Sequence, residues 1–206
     1  MVTLSIKADF KGVQKALDRL QAGVARHALA SAVNKTVGLA RTQMVREITS
    51  EFNVTAAYVR ERLRVRRAAA KGALAIEGAL IGGKGGKGRS ANIIAFLEKV
   101  TTLAEAKKRG KAGTLNQLFV KVKKTGPKKP LGKGAFIGNN GRTVFERVGK
   151  ERLPIKPVQV IDVAQMFNTR RINAKVVQVI KARLPDVFAR EARFYVQRFN
   201  RGQGSS

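Results

Sequence analysis

The sequence predicts an α+β fold, with N-terminal helices and a C-terminal helix packed on a small antiparallel β-sheet and basic flexible loops between them. Three observations point there. Leu29, Val33, Val37, Ala40, Met44 and Ile48 recur at helical spacing and line one side of a helix. Two short apolar runs flank Asn139-Asn140-Gly141, a strong hairpin signal. A second helical face then appears at Ile172, Val176, Ile180 and Leu184.

Composition sets the frame. The 206 residues suit one domain with extensions, expected over residues 1–201, with flexible basic loops around 82–92 and 106–133 and a disordered tail at 202–206. Hydrophobic residues at 44% are enough for a core. Lys and Arg number 42 against 13 acids, a formal net charge of +29, which implies a polyanionic neighbour or tolerance of one. Cysteine is absent, which excludes disulfides and thiolate metal sites. The start, MVTLSIKADF, lacks a secretory apolar core and no run approaches a membrane span, so a cytoplasm-like compartment is expected.

Along the chain, Thr3, Leu4 and Ile6 predict an opening strand. Asp9 is a candidate N-cap for a helix carrying Phe10, Val13, Leu17, Leu20 and Val24 on one face, with Gly23 fraying or bending its end. In the second helix the small residues Ala28, Ala30, Ser31, Ala32, Gly38 and Ala40 permit close packing. Thr55 can cap a short third helix, with Val54 and Val59 at hydrophobic-staple positions. Beyond it, Leu63 and Val65 alternate with Arg62, Arg64 and Arg66. Leu74, Ile76 and Leu80 form a second alternating run interrupted by Gly78, which predicts two antiparallel strands joined near Lys71-Gly72.

Gly82 to Arg89 (GGKGGKGR) lacks the GxxxxGK[ST] spacing of a phosphate-cradling loop, and a linker is the simpler reading. Ile93, Ile94, Phe96 and Leu97 return to the core. Thr102-Leu103-Ala104-Glu105 fits a capping box, and Leu118, Val120 and Val122 alternate with Phe119, Lys121 and Lys123 as a strand. If Asn140-Gly141 forms a two-residue turn, Ile137 faces Val144 and Phe136 faces Phe145 on opposite sides of the ribbon. One face should pack on this chain's helices and the other on a helix, a loop or a neighbouring subunit. These four residues are therefore the candidate assembly interface.

Leu153 to Pro157 must run extended, since a residue before proline is pushed out of the helical region. A helix pattern resumes after Asp162. Pro185 should end or kink it, or open a new first turn, and Phe188, Ala192, Tyr195 and Phe199 continue the face.

Reaction chemistry has little support. His27 is the one histidine and sits beside Arg26 near a helix start, where a surface or capping role is simplest. Glu146 and Glu151 stand amid Arg and Lys, where ion pairing is simpler than acid–base work. No cofactor is expected, and a nucleotide-hydrolysing enzyme is a remote reading.

Charge is uneven. No acid lies between Glu105 and Glu146, yet Lys107, Lys108, Arg109, Lys111, Lys121, Lys123, Lys124, Lys128, Lys129, Lys133 and Arg142 all do. That block either tracks a phosphate backbone or is a solvated basic loop. Arg60, Arg62, Arg64 and Arg66 form a second candidate stripe. Neither interleaves aromatics, so base stacking is not suggested. A freestanding nucleic-acid-binding protein is the alternative reading.

Several segments together resemble the minor tail protein Z family of long-tailed bacteriophages and their prophages. They are SAVNKTVGLARTQMVREI from Ser31, VTAAYVRERLRVRRA from Val54, and GAFIGNNGRTVFERVGKERLPIKPVQVIDVAQMF from Gly134 into the C-terminal helix. The likeness is weakest over Gly82 to Lys133. The resemblance implies a structural virion protein at the head-proximal end of the tail, made in the host cytoplasm and acting in tail completion and head–tail joining. It also implies other tail or neck proteins as partners, assembly as a ring around the DNA path, and no membrane.

Overall fold

The computed structural model describes residues 2–7, 20–69, 77–82, 91–97, 118–132, 135–140, 143–161 and 163–203. The fold is α+β, and its largest packing surface joins two long helices, α1 (Ala22–Glu51) and α4 (Arg170–Gln203). α1 buries Ala25, Ala28, Leu29, Ala32, Val33, Val37, Ala40, Met44 and Ile48, so the stripe read from the sequence is its core face. Small residues in that stripe let the backbones approach. α4 answers with Ile172, Val176, Ile180, Leu184, Val187 and Phe188, all buried. At about 1.5–3 kcal/mol for each large side chain removed from water, this seam dominates the packing.

Two expectations about these helices are corrected. The predicted first helix was to end near Gly23, but Gly23 and Val24 lie inside α1; Asp9 to Leu17 fall outside the described residues. Pro185 neither ends nor restarts a helix: α4 runs through it without interruption. Leu184, Val187 and Phe188 are buried around it, and that packing outweighs the backbone hydrogen bond which proline cannot donate. α4 also continues through Gly202 to Gln203, two residues into the expected tail.

β1 (Val2–Lys7), β2 (Leu63–Arg66) and β3 (Glu77–Gly82) make an antiparallel sheet in the order β1-β3-β2. It enters from α2 (Ala56–Arg62), whose first turn is capped by Thr55 Oγ1 accepting from the Tyr58 N–H at 3.2 Å, with Val54 and Val59 both buried. Leu63 is buried and Val65 half-buried, while Arg64 and Arg66 are exposed, which is the predicted alternation. Gly78 sits inside β3 because the sheet rests on α1 there. A Cβ at Gly78 would stand 2.8 Å from Val33 Cγ1 and 2.9 Å from Val37 Cγ2. Asn34 then pins the chain beyond β2, donating to the Ala68 carbonyl at 3.0 Å and accepting its N–H at 2.7 Å. The predicted join near Lys71-Gly72 lies outside the described residues.

β4 (Ala91–Asn92) pairs with β10 (Gln159–Val160), and a 3-10 turn at Ile93–Phe96 buries Ile93 and Phe96. β5 (Phe119–Val120) pairs with β6 (Lys129–Pro130). Both strands fall within the 106–133 segment expected from the sequence as a flexible basic loop. Residues 118–132 are tied down by that pairing, by the Leu97–Val120 and Phe52–Lys123 bridges, and by Asn53 N–H donating to the Val122 carbonyl at 2.9 Å. The capping box at Thr102 lies outside the described residues.

β7 (Ala135–Gly138), β8 (Thr143–Arg147) and β9 (Ile155–Pro157) form the last sheet. Its register is the predicted one, with Ile137 opposite Val144 and Phe136 opposite Phe145. The left-handed residues are Asn139 and Asn140, at φ 52° and 53°, one position earlier than the Asn140-Gly141 reading; Gly141 lies outside the described residues. The extended Leu153–Pro157 segment supplies β9, entered through a cis Leu153–Pro154 bond. α3 (Val163–Phe167), with Met166 and Phe167 fully buried, leads into α4.

Candidate assembly and nucleic-acid interfaces

The β7–β8 hairpin sorts its apolar residues by face. Val144 is fully buried and Ile137 packs against the core, so this side is closed within the chain. β8 packs on the 3-10 turn at Ile93–Phe96. On the other side Phe136 and Phe145 stack at 5.9 Å, and the Arg147 guanidinium lies 5.2 Å from the Phe136 ring centre. Of the four candidate interface residues, only Phe136 and Phe145 thus face outward.

Sequence reasoning missed the neighbours that extend this surface. The β8–β9 turn is braced by Arg147 donating to the Arg152 carbonyl at 2.8 Å and by Val148 N–H donating to the Pro154 carbonyl at 3.1 Å. It holds Val148, Leu153 and Ile155 in solvent, at 58%, 67% and 37% exposure. The available signal was Val148 and Leu153 in a turn rich in Gly, Lys and Arg, with Ile155 directly after it.

The cationic candidates divide between two anchor points on α1. Arg60 belongs to α2, and its carbonyl accepts from Arg41 Nη2 at 2.9 Å. Arg62 is half-buried over the Tyr58 ring at 3.6 Å and 3.5 Å from Glu61, so much of its charge is used locally. Arg64 and Arg66 project from the same face of β2. At the other point, Lys123 lies 3.7 Å from Glu51 and the Lys124 N–H donates to the Glu51 carbonyl at 2.9 Å. Lys121 is half-buried, and Lys128 and Lys129 are exposed. Residues 41 and 51 are about 15 Å apart along α1, so the two groups form separate patches. Lys107, Lys108, Arg109, Lys111, Lys133 and Arg142 lie outside the described residues.

The α1–α4 pair carries the densest electrostatics. Near the end of α1, Glu47 takes Lys175 at 2.8 Å, and Glu51 takes Arg171 at 2.8 Å as well as Lys123. The hydrogen bond and the charge of Glu51 raise the Arg171 pKa further above its usual value. Toward the other end, Glu191 receives Lys35 at 2.6 Å and Ser31 at 2.7 Å. Burial works to raise the Glu191 pKa, but the bonds from Lys35 and Ser31 and the charges of Lys35 and Arg190 outweigh it and hold the carboxyl below 4.5.

Around Glu191 the balance changes. Arg190, Arg193, Arg198 and Arg201 are exposed, and Phe194 among them is 54% exposed. Phe194 meets Tyr195 edge-on at 5.3 Å, and Tyr195 stacks on His27 at 5.8 Å. His27 is exposed, in keeping with the surface role read from the sequence, and it stacks on the neighbouring helix. This group was also missed, although Arg190, Phe194 and Arg198 at four-residue steps were a visible signal. Glu146 does pair on the surface, 3.7 Å from Lys156.

Among the described residues no group of three His, Cys, Asp or Glu residues could hold a metal ion, and no helix is long and apolar enough to cross a membrane. A shallow depression lined by Gln159, Val160, Ile161 and Gln165 contains no ionisable side chain. The family model described as prophage minor tail protein Z (GPZ) matches residues 10–201. Neither a curated protein nor a solved structure matches the chain.

Proposed function

The chain belongs to the prophage minor tail protein Z family, a structural component of the phage tail, and from that premise we propose that it completes the tail at its head-proximal end. In this reading residues 1–201 act as one unit that self-associates in a ring and joins the tail to the proteins of the neck. The observation that carries the reading is the uncovered apolar rim of the β7-β8-β9 sheet. Phe136 and Phe145 stack on its outer face, and Val148, Leu153 and Ile155 stand in solvent beside them. A strongly cationic chain gains solubility from its charge, so an apolar rim kept in water points to a protein neighbour. The basic segments, with Arg60, Arg64, Arg66, Lys124, Lys128 and Lys129 at their exposed positions, are assigned to the side facing the DNA path.

A paired substitution tests the rim. Val148→Asp with Leu153→Asp should leave the isolated chain folded by circular dichroism, because both side chains are exposed. Particles assembled with it should lack the protein in imaging of purified virions. Wild-type incorporation of the variant would exclude the rim as the assembly surface. Absence of the unaltered protein from purified particles would remove the virion role itself.

A further inference from the structure

We propose that the arginine–aromatic face of α4 binds nucleic acid and prefers single strands, with Arg190, Arg193, Arg198 and Arg201 holding phosphates and Phe194 stacking on an unpaired base. This site is separate from the basic segments flagged by the sequence and does not depend on where the chain sits in a tail.

Phe194 gives the first argument. Leu184, Val187 and Phe188 of the same helix are buried, yet Phe194 keeps 54% of its surface in water. Its contact with Tyr195, and that of Tyr195 with His27, orients the ring without covering it. An oriented, open aromatic ring is the feature that sequence-tolerant base stacking requires.

The charge around it is predominantly positive. Residues 22–38 of α1, which pack alongside, and 187–203 of α4 contain six Lys and Arg and one acid, Glu191; the next acid along α4, Asp186, lies one turn before Arg190. That acid is buried and hydrogen-bonded to Lys35 and Ser31, and of the four surface arginines Arg190 is the one whose charge acts on it. The uncapped N-terminus of α1, with no acid in its first turn, adds partial positive charge at the same end of the pair.

Geometry selects a phosphate chain over an acidic protein patch. At 3.6 residues per turn the four arginines and Phe194 share an arc of about 140°. Arg190 to Arg201 covers about 16 Å, the axial rise of roughly five phosphates on one strand. Guanidinium forks match phosphate oxygens, and unlike lysine they also stack against bases. Single strands are favoured because a duplex hides the base faces that Phe194 would contact.

The test uses the full chain and fluorescence anisotropy, with a single-stranded DNA of about 20 nucleotides and the blunt duplex of the same sequence, over a range of salt. Phe194→Ala should weaken single-strand binding about 5- to 150-fold, the equivalent of one stacked base, and leave duplex binding within about twofold. Neutralising Arg190, Arg193, Arg198 and Arg201 to Gln should lower the salt slope for the single strand by about 3. A matched variant with Lys121, Lys124, Lys128 and Lys129 changed to Gln should have a smaller effect on single-strand binding.

The proposal falls if the lysine variant loses as much as the arginine variant, since net charge alone would then be acting. It also falls if Phe194→Ala changes single-strand and duplex binding alike, or neither. Binding of a polyglutamate peptide with no binding of DNA would reassign the face to an acidic protein partner. None of these outcomes bears on incorporation into virions, so they leave the tail reading to its own test.

Discussion

At one end of the α1–α4 pair Glu47 and Glu51 meet Lys175, Arg171 and Lys123. Toward the other, Glu191 is committed to Lys35 and Ser31, and four exposed arginines on either side of it in the sequence surround an exposed Phe194. Both ends are rich in arginine and lysine, but the first sets two acids, Glu47 and Glu51, against its cations and the second sets one, Glu191. The difference separates structural charge from charge available to a partner. In a chain of net charge +29, counting cations cannot do this. Locating the few acids can, because each acid marks where cations serve the fold.

The largest effect is expected from the middle of the seam. Leu184→Ala removes a fully buried side chain from the seam shared by both ends and should cost about 2–5 kcal/mol in denaturant unfolding. Both ends should then melt together.

Glu191→Gln acts on one side of the comparison. It removes a charge-assisted bond to Lys35 and should cost about 1–3 kcal/mol at neutral pH. Because the folded carboxyl is held below 4.5, its stabilisation is present above that value and lost as pH falls through the depressed one. The variant should therefore show a flatter loss of stability than wild type below about pH 4.5 in acid titration.

At the opposite end, Lys175→Ala removes an exposed partner of Glu47 and should cost about 0.2–1 kcal/mol, a difference that shrinks in high salt. Smallest of all, changing any one of Arg190, Arg193, Arg198 and Arg201 to Gln should shift stability by no more than about 0.5 kcal/mol. A large loss there would show that these arginines belong to the fold after all.

Local patterns were legible in the sequence. The α1 stripe, the Thr55 cap, the β2 alternation and the hairpin register each depend on neighbours within a few residues. What escaped reading depends on distant partners. Pro185 stays inside α4 because the residues around it are buried against the core. Residues 118–132 are tied down because α1 ends where Lys123 and Lys124 can reach Glu51. Gly78 reads as an interruption until Val33 and Val37 are seen to press on it. The outward faces were half legible. Phe136 and Phe145 were named, whereas Val148 and Leu153 show their exposure only once the turn is built.

The α1–α4 seam also dictates an order of events during synthesis. Its two halves are separated by more than a hundred residues of chain, at 22–51 and 170–203. When α1 leaves the ribosome, the helix that will cover it has not yet been translated. At about 5–20 residues per second, the apolar stripe from Leu29 to Ile48 waits on the order of ten seconds for its partner. Over that interval the chain has only its β-segments and its own positive charge to keep the stripe from other nascent chains. Burial of α1 is thus a late step, completed only after α4 has emerged.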